Sequence, residues 1–199
     1  MVDKLLQIFA KAPIQGFVKT RLIPNIGIKA ATDVYVELLE SVVNLAAKSG
    51  YKIQLWCAPD QRHDCFQKMA KKHQFILRDQ HGVGLGERME YALEIGLKEA
   101  EKVVLVGADC PVFTEDYLAK AFGSLAKSDV VLGPAEDGGF VLIGCGKVQA
   151  NMFNKVDWGR STVLEQTLGA MHKVGLTSHL LPVLWDVDTL ADVERWRAS

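Results

Sequence analysis

Lys11, Lys19 and Arg21 crowd the stretch AKAPIQGFVKTRL at residues 10–22, which follows directly on an apolar run at residues 5–10. A basic loop at the end of a strand has the composition that phosphate oxygens require. The cations supply charge-assisted hydrogen bonds, and Gly16 lets the backbone approach the anion. The same composition also suits a plain basic surface loop. Lys19-Thr20 is a near miss to the Walker phosphate loop, because Gly16 is not adjacent to it and residues 24–27 separate it from the next helical pattern. That spacing excludes a P-loop NTPase, and the dinucleotide fingerprint is missing as well.

A second candidate is GADCP at residues 107–111, at the end of the most apolar run in the chain. Asp109 there suits Mg²⁺, a hard cation that takes one or two carboxylates and completes its shell with phosphate and water. Read alone, it is also a turn aspartate ahead of a proline. Cys110 beside it has no evident base, so it reads as a packing residue and not a nucleophile. Glu136-Asp137-Gly138-Gly139 lies between two strand patterns and also has the composition of a hairpin turn. In DVDTLADV, at residues 186–193, Thr189 and Asp192 are spaced like a capping box, so these carboxylates also suit the start of a helix. Finally, Gly82-Val83-Gly84-Leu85-Gly86-Glu87-Arg88-Met89 opens a helix after a strand, where free amides can meet a nucleotide.

The elements that must position these residues follow from periodicity. Strands are expected at residues 5–10, 51–57, 74–77, 102–107, 130–133, 140–144 and 180–187. Helices are expected at 28–48, 60–72, 87–100, 114–126 and 161–171, with a final capped helix from 192. Val34, Leu38, Val42 and Leu45 form the buried stripe of the first helix, and Gly50 ends it. Such alternation predicts an α/β fold, a three-layer α/β/α sandwich with a mainly parallel, Rossmann-like sheet. Between residues 133 and 140 there is no room for a crossover helix, so a tight reversal is expected. In a sheet of this kind, ligands bind at the carboxyl ends of the strands, where three of the candidate segments fall.

Composition sets the outer limits. The 199 residues suit a single domain, 1–199, and 49% hydrophobic with 24% charged residues is ordinary for a globular chain. A net charge of -1, from 23 basic and 24 acidic residues, offers no field for nucleic acid. No run is long enough for a membrane span and the start lacks a signal-peptide layout, so a cytoplasmic protein is expected. The 4 cysteines read as reduced thiols, and the 5 histidines are too scattered for a zinc site.

Taken together, FAKAPIQGFVKTRL, GLGERM, GADCP, DVVLGPAEDGGFVLIG, residues 158–167 and DVDTLADV resemble the nucleotide-diphospho-sugar transferase superfamily, the GT-A fold. Within it the chain is most similar to a bacterial glycosyltransferase-like family akin to the phospholactate guanylyltransferases. The resemblance runs from Phe9 to about Val193. It implies a transferase using Mg²⁺ or Mn²⁺ and a nucleoside triphosphate or nucleotide sugar, with a small-molecule acceptor. Lys11, Gly16, Lys19 and Arg21 would then meet the nucleotide phosphates, and Gly86 and Arg88 would lie near the nucleotide. Asp109 would hold the metal with Asp188, and Asp137, Gly138 and Trp158 would face the acceptor. Lys19, Arg21 and Asp109 are the expected catalytic groups. The chain departs from its relatives at Gly84, where an acidic residue is usual, and at Gly159-Arg160, where small hydroxyl residues are common. A single Asp ahead of Cys-Pro, in place of Asp-x-Asp, favours nucleotidyl over glycosyl transfer, and a non-catalytic nucleotide-binding protein is the third reading.

Overall fold

The computed structural model describes residues 1–199. The elements are β1 (Val2–Lys11), α1 (Ile23–Lys48), β2 (Lys52–Ala58), α2 (Asp64–His73), β3 (Ile76–Asp79), α3 (Leu85–Leu97), β4 (Ala100–Gly107), α4 (Glu115–Ser124), β5 (Val130–Pro134), β6 (Phe140–Cys145), α5 (Val163–Lys173), β7 (Ser178–Leu180) and α6 (Leu190–Arg197). The strands form one 7-stranded sheet in the order β3-β2-β1-β4-β6-β5-β7. Every pairing is parallel except those of β6, which runs antiparallel to both β4 and β5.

β6 is antiparallel because the turn after β5 is too short for a crossover. Ala135 N donates to Gly139 O at 3.0 Å and Gly138 N to Ala135 O at 3.1 Å, closing the expected reversal. The returning strand slots between β4 and β5, so the carboxyl ends of β1 and β4 and the β5–β6 turn share one rim of the sheet.

The central strands are apolar on both faces, as a parallel sheet covered by helices requires. Leu6, Ile8, Val104 and Val106 point into one core with Tyr35, Leu39, Val42 and Val43 of α1, and with residues of α2 and α4. Leu5, Val103 and Leu105 point the other way, against Met89, Ala92 and Leu93 of α3 and Met171 of α5. Two layers of helix thus sandwich the sheet. On the second face Gln7 and Gln54 are fully buried. Gln7 Nε2 donates to Gln54 Oε1 at 3.1 Å and to Ala92 O at 2.8 Å, which fixes α3 against β1. α6 lies outside this core, with Val193 and Trp196 packed on Leu22, Val34, Leu38 and Val187.

Boundaries shift where local hydrogen bonds decide them. α2 starts at Asp64 and not at residue 60, because Asp60 Oδ1 accepts from Arg62 N at 2.8 Å in a turn and the His63 side chain caps the helix. α3 starts early, at Leu85, where Glu87 Oε2 accepts from Val83 N at 2.7 Å. The strand expected at residues 180–187 lies earlier, at Ser178–Leu180, and shares only Leu180 with that span. Pro182 has no amide to give, and the segment rejoins the β5 end at Leu184, whose N donates to Pro134 O at 2.9 Å and whose O accepts from Glu136 N at 3.0 Å.

Candidate functional site

A cleft of about 650 Å³ opens at the shared rim, lined among others by Lys11, Lys19, Arg21, Arg88, Asp109, Asp137, Trp158 and Asp188. Each is delivered by a chain segment leaving or approaching the sheet edge. Lys11 ends β1, and its backbone is clamped by the hydroxyl of Tyr35 from α1, which accepts from Lys11 N at 2.7 Å and donates to Lys11 O at 2.9 Å. Burial, then repulsion from Asp109, pushes that phenol far above its usual range, so it stays a neutral clamp. Gln80, after β3, donates to Ala10 O at 3.2 Å and Trp56 O at 2.9 Å and ties the ends of β1 and β2 together.

Asp109 follows β4, and Asp188 precedes α6. A single backbone bond brings the two segments together: Val187 N donates to Asp109 O at 3.0 Å. Lys19 Nζ then lies 2.9 Å from Asp109 Oδ1 and 3.2 Å from Asp188 Oδ1, and Arg21 Nη1 lies 2.9 Å from Asp188 Oδ2. The Lys19–Asp188 contact is an aligned hydrogen bond. The Lys19–Asp109 contact is an ion contact without that alignment, which leaves buried Asp109 Oδ1 without a hydrogen-bond partner.

These two carboxylates fit a hard divalent cation. They offer oxygen donors at one point, and one of those oxygens lacks a hydrogen bond. No group of three or more His, Cys, Asp or Glu side chains closes a metal cage. Two protein carboxylates with the rest of the shell from phosphate and water is the arrangement Mg²⁺ usually takes.

Asp186, Tyr35 and Gln80 were not singled out by sequence reasoning as site residues, yet all three line the cleft. The carboxyl of Asp186 is raised to about 6, first by burial, then by the charges of Asp137 and Asp188, with Lys19 opposing. Its presence in the same DVD run as Asp188 was the only available signal. Gly16, Gly86 and Gly138 do not line the cleft. A Cβ on Gly86 would lie 3.0 Å from the Trp158 ring, so this glycine seats the tryptophan. Gly138 has φ 88, and a Cβ there would collide with the Ser161 carbonyl, so it docks the hairpin on the segment before α5. Asp137 itself is bonded to Gly139 N at 2.8 Å, the hairpin-turn role also open to it from sequence. Likewise Thr189 and Asp192 form a complete capping box, while Asp188 still reaches the cleft. Cys110 is buried, its thiol pushed up to about 12 by desolvation, which keeps it protonated and unreactive.

A family model described as "uncharacterized protein conserved in bacteria (DUF2064)" matches residues 41–160. A candidate nucleotide-diphospho-sugar transferase from Desulfovibrio desulfuricans is 30% identical, with a TM-score of 0.87 over 97% of this chain and 85% of that one. The 4-diphosphocytidyl-2C-methyl-D-erythritol synthase of Anaerococcus prevotii shares the fold at 13% identity and a TM-score of 0.66, over 98% and 95% of the two chains. So does a Mycobacterium tuberculosis protein solved as a manganese complex, at 14% identity and a TM-score of 0.59, with 100% of both chains covered. No curated protein matches in sequence. No helix is long and apolar enough to cross a membrane.

Proposed function

The chain belongs to the bacterial family DUF2064, within the nucleotide-diphospho-sugar transferase superfamily, and on that premise we propose that this transferase moves a nucleotidyl group from a nucleoside triphosphate to a small phosphorylated acceptor. The observation that carries the reading is the meeting of Lys19 and Arg21 with Asp109 and Asp188 in one cleft. Cations and paired carboxylates at the same point suit a polyphosphate with a divalent ion and little else.

An acceptor phosphate oxygen attacks the α-phosphorus, the bond from that phosphorus to the bridging oxygen breaks, and pyrophosphate leaves. Lys19 and Arg21 neutralise the departing pyrophosphate, while Lys11 and Arg88 hold the nucleotide against the rim. Asp109 and Asp188 hold Mg²⁺ or Mn²⁺, which when bound supplies further charge neutralisation at the phosphates. Asp137 and Trp158 bound the acceptor side, where Gly86 and Gly138 act from behind by seating Trp158 and docking the hairpin, and Gly16 shapes the loop on the nucleotide side. The manganese complex among the structural relatives supports a divalent ion, and the 4-diphosphocytidyl-2C-methyl-D-erythritol synthase, named for a nucleotide-bearing product, supports nucleotidyl transfer.

The test is pyrophosphate release from nucleoside triphosphates with phosphorylated acceptors, with Mg²⁺ or Mn²⁺, for wild type and Asp109→Asn. Loss of one such charge-stabilising group should cost about 2.7–4 kcal/mol, or 10²–10³ in kcat. A folded Asp109→Asn protein with wild-type turnover would remove the metal assignment. The 30% identical relative supports a second reading, glycosyl transfer from a nucleotide sugar. Release of a nucleoside diphosphate in place of pyrophosphate would select it, and tight nucleotide binding with neither product would select a binding protein.

A further inference from the structure

The ammonium of Lys19 lies between the two carboxylates that the proposed function assigns to the divalent ion. It is the shared partner of Asp109 Oδ1 at 2.9 Å and Asp188 Oδ1 at 3.2 Å, and only 4% of its side chain is exposed. Its contact with Asp109 is an ion contact without hydrogen-bond alignment, so it is held there by charge and not by a directed hydrogen bond. Arg21 occupies the other oxygen of Asp188 at 2.9 Å, with 66% of its side chain exposed. Lys19 and Arg21 therefore both lie on the carboxylates at the cleft wall. The Lys19 backbone also has φ 46, a left-handed conformation that a lysine keeps only where its surroundings enforce it. The two ion pairs and the bond from Leu22 N to Lys19 O at 2.9 Å are such surroundings.

We infer that Lys19 is a built-in counter-ion that keeps the carboxylate pair closed to metal until a polyphosphate draws it away. The inference rests on the nucleotide and metal reading above and adds an order of loading to it. A free divalent ion must displace a buried ammonium from Asp109, whereas a triphosphate offers that ammonium a better anion. Once Lys19 and Arg21 move to phosphate oxygens, the two carboxylates face the same phosphates with their negative charge uncompensated. A divalent ion then binds between them. Nucleotide and metal binding are thereby coupled, and the coupling is reciprocal. Without ligands Lys19 and Arg21 balance Asp109 and Asp188, which spares the fold two adjacent unpaired carboxylates.

The experiment measures Mn²⁺ binding to the nucleotide-free protein by the paramagnetic resonance signal of free Mn²⁺. Wild type, Lys19→Met, Lys19→Gln, Asp109→Asn and the Lys19→Met/Asp109→Asn double variant are compared, with melting curves taken with and without Mn²⁺. Removing a competing charge at contact distance should tighten Mn²⁺ binding by about tenfold or more in Lys19→Met. The double variant should lose that gain, and Mn²⁺ should raise the melting temperature of Lys19→Met more than that of wild type. Lys19→Gln keeps a hydrogen-bonding group without the charge and should behave like Lys19→Met, so it decides the matter if the methionine variant fails to fold. Equal Mn²⁺ affinity in wild type and both Lys19 variants, lost with Asp109→Asn, would overturn the counter-ion role while leaving the metal site intact. A gain in Lys19→Met that survives in the double variant would overturn it too. Absence of Mn²⁺ binding from every protein, the Lys19 variants included, would instead remove the metal reading on which the inference stands.

Discussion

Tyr35→Phe isolates one oxygen that joins the core to the cleft. The phenol is 4% exposed and packs in the main core, so phenylalanine fills the same space and only hydrogen bonding is lost. That oxygen accepts from Lys11 N at 2.7 Å and donates to Lys11 O at 2.9 Å. Each bond contributes about 1 kcal/mol net, and the freed backbone groups lie next to an open cleft where water can reach them, so the loss should be about 2 kcal/mol. For a chain of this length that lowers Tm by about 4–8 °C. Because the clamp holds the start of the loop carrying Lys19 and Arg21, the nucleotide KM should rise more than kcat falls. There is a pH signature as well. The phenol's folded pKa is raised, so its contribution is complete below the unfolded value of about 10 and is lost as pH climbs beyond it. The variant should therefore have a shallower alkaline limb. Urea unfolding at pH 7 and pH 10.5, with pyrophosphate-release kinetics, checks this. A loss under about 0.5 kcal/mol with unchanged KM would refute the clamp, since two bonds of this kind should exceed that figure.

Gly138→Ala should destabilise by more than about 2 kcal/mol in urea, since the left-handed backbone and the collision with Ser161 O act together. Thr177→Val tests an acid-side contribution. Thr177 holds the Asp129 carboxyl below its usual range through its hydroxyl at 2.7 Å and its amide at 2.8 Å. A depressed carboxyl stabilises above its unfolded pKa of about 3.9 and loses that contribution as pH falls through the folded value. The variant's urea midpoint should therefore fall less than wild type between pH 6 and pH 3. Gly86→Ala should leave the fold intact but displace Trp158, which shows as altered tryptophan fluorescence and a raised acceptor KM.

The alternating apolar runs determined the sheet and its helices, because strand and helix periods are local properties of the chain. Val103 to Val106 declared a central strand by being apolar on both faces. The positions of Asp109 after a strand, Asp188 before a helix and Lys19 in the loop after the first strand were legible for the same reason. What only the tertiary structure decided are contacts between residues far apart in the chain. The bond from Val187 N to Asp109 O, the insertion of β6 between β4 and β5, and the seating of Trp158 on Gly86 carry no periodic signal. Gly86 and Gly138 looked like ligand loops because a glycine needed for close packing and one needed beside a phosphate read alike. Asp186 belonged to a candidate run but was given no site role, because its raised pKa comes from burial and from carboxylates gathered by the fold. Local rules place groups on a rim, but which of them touch is set by how the layers close.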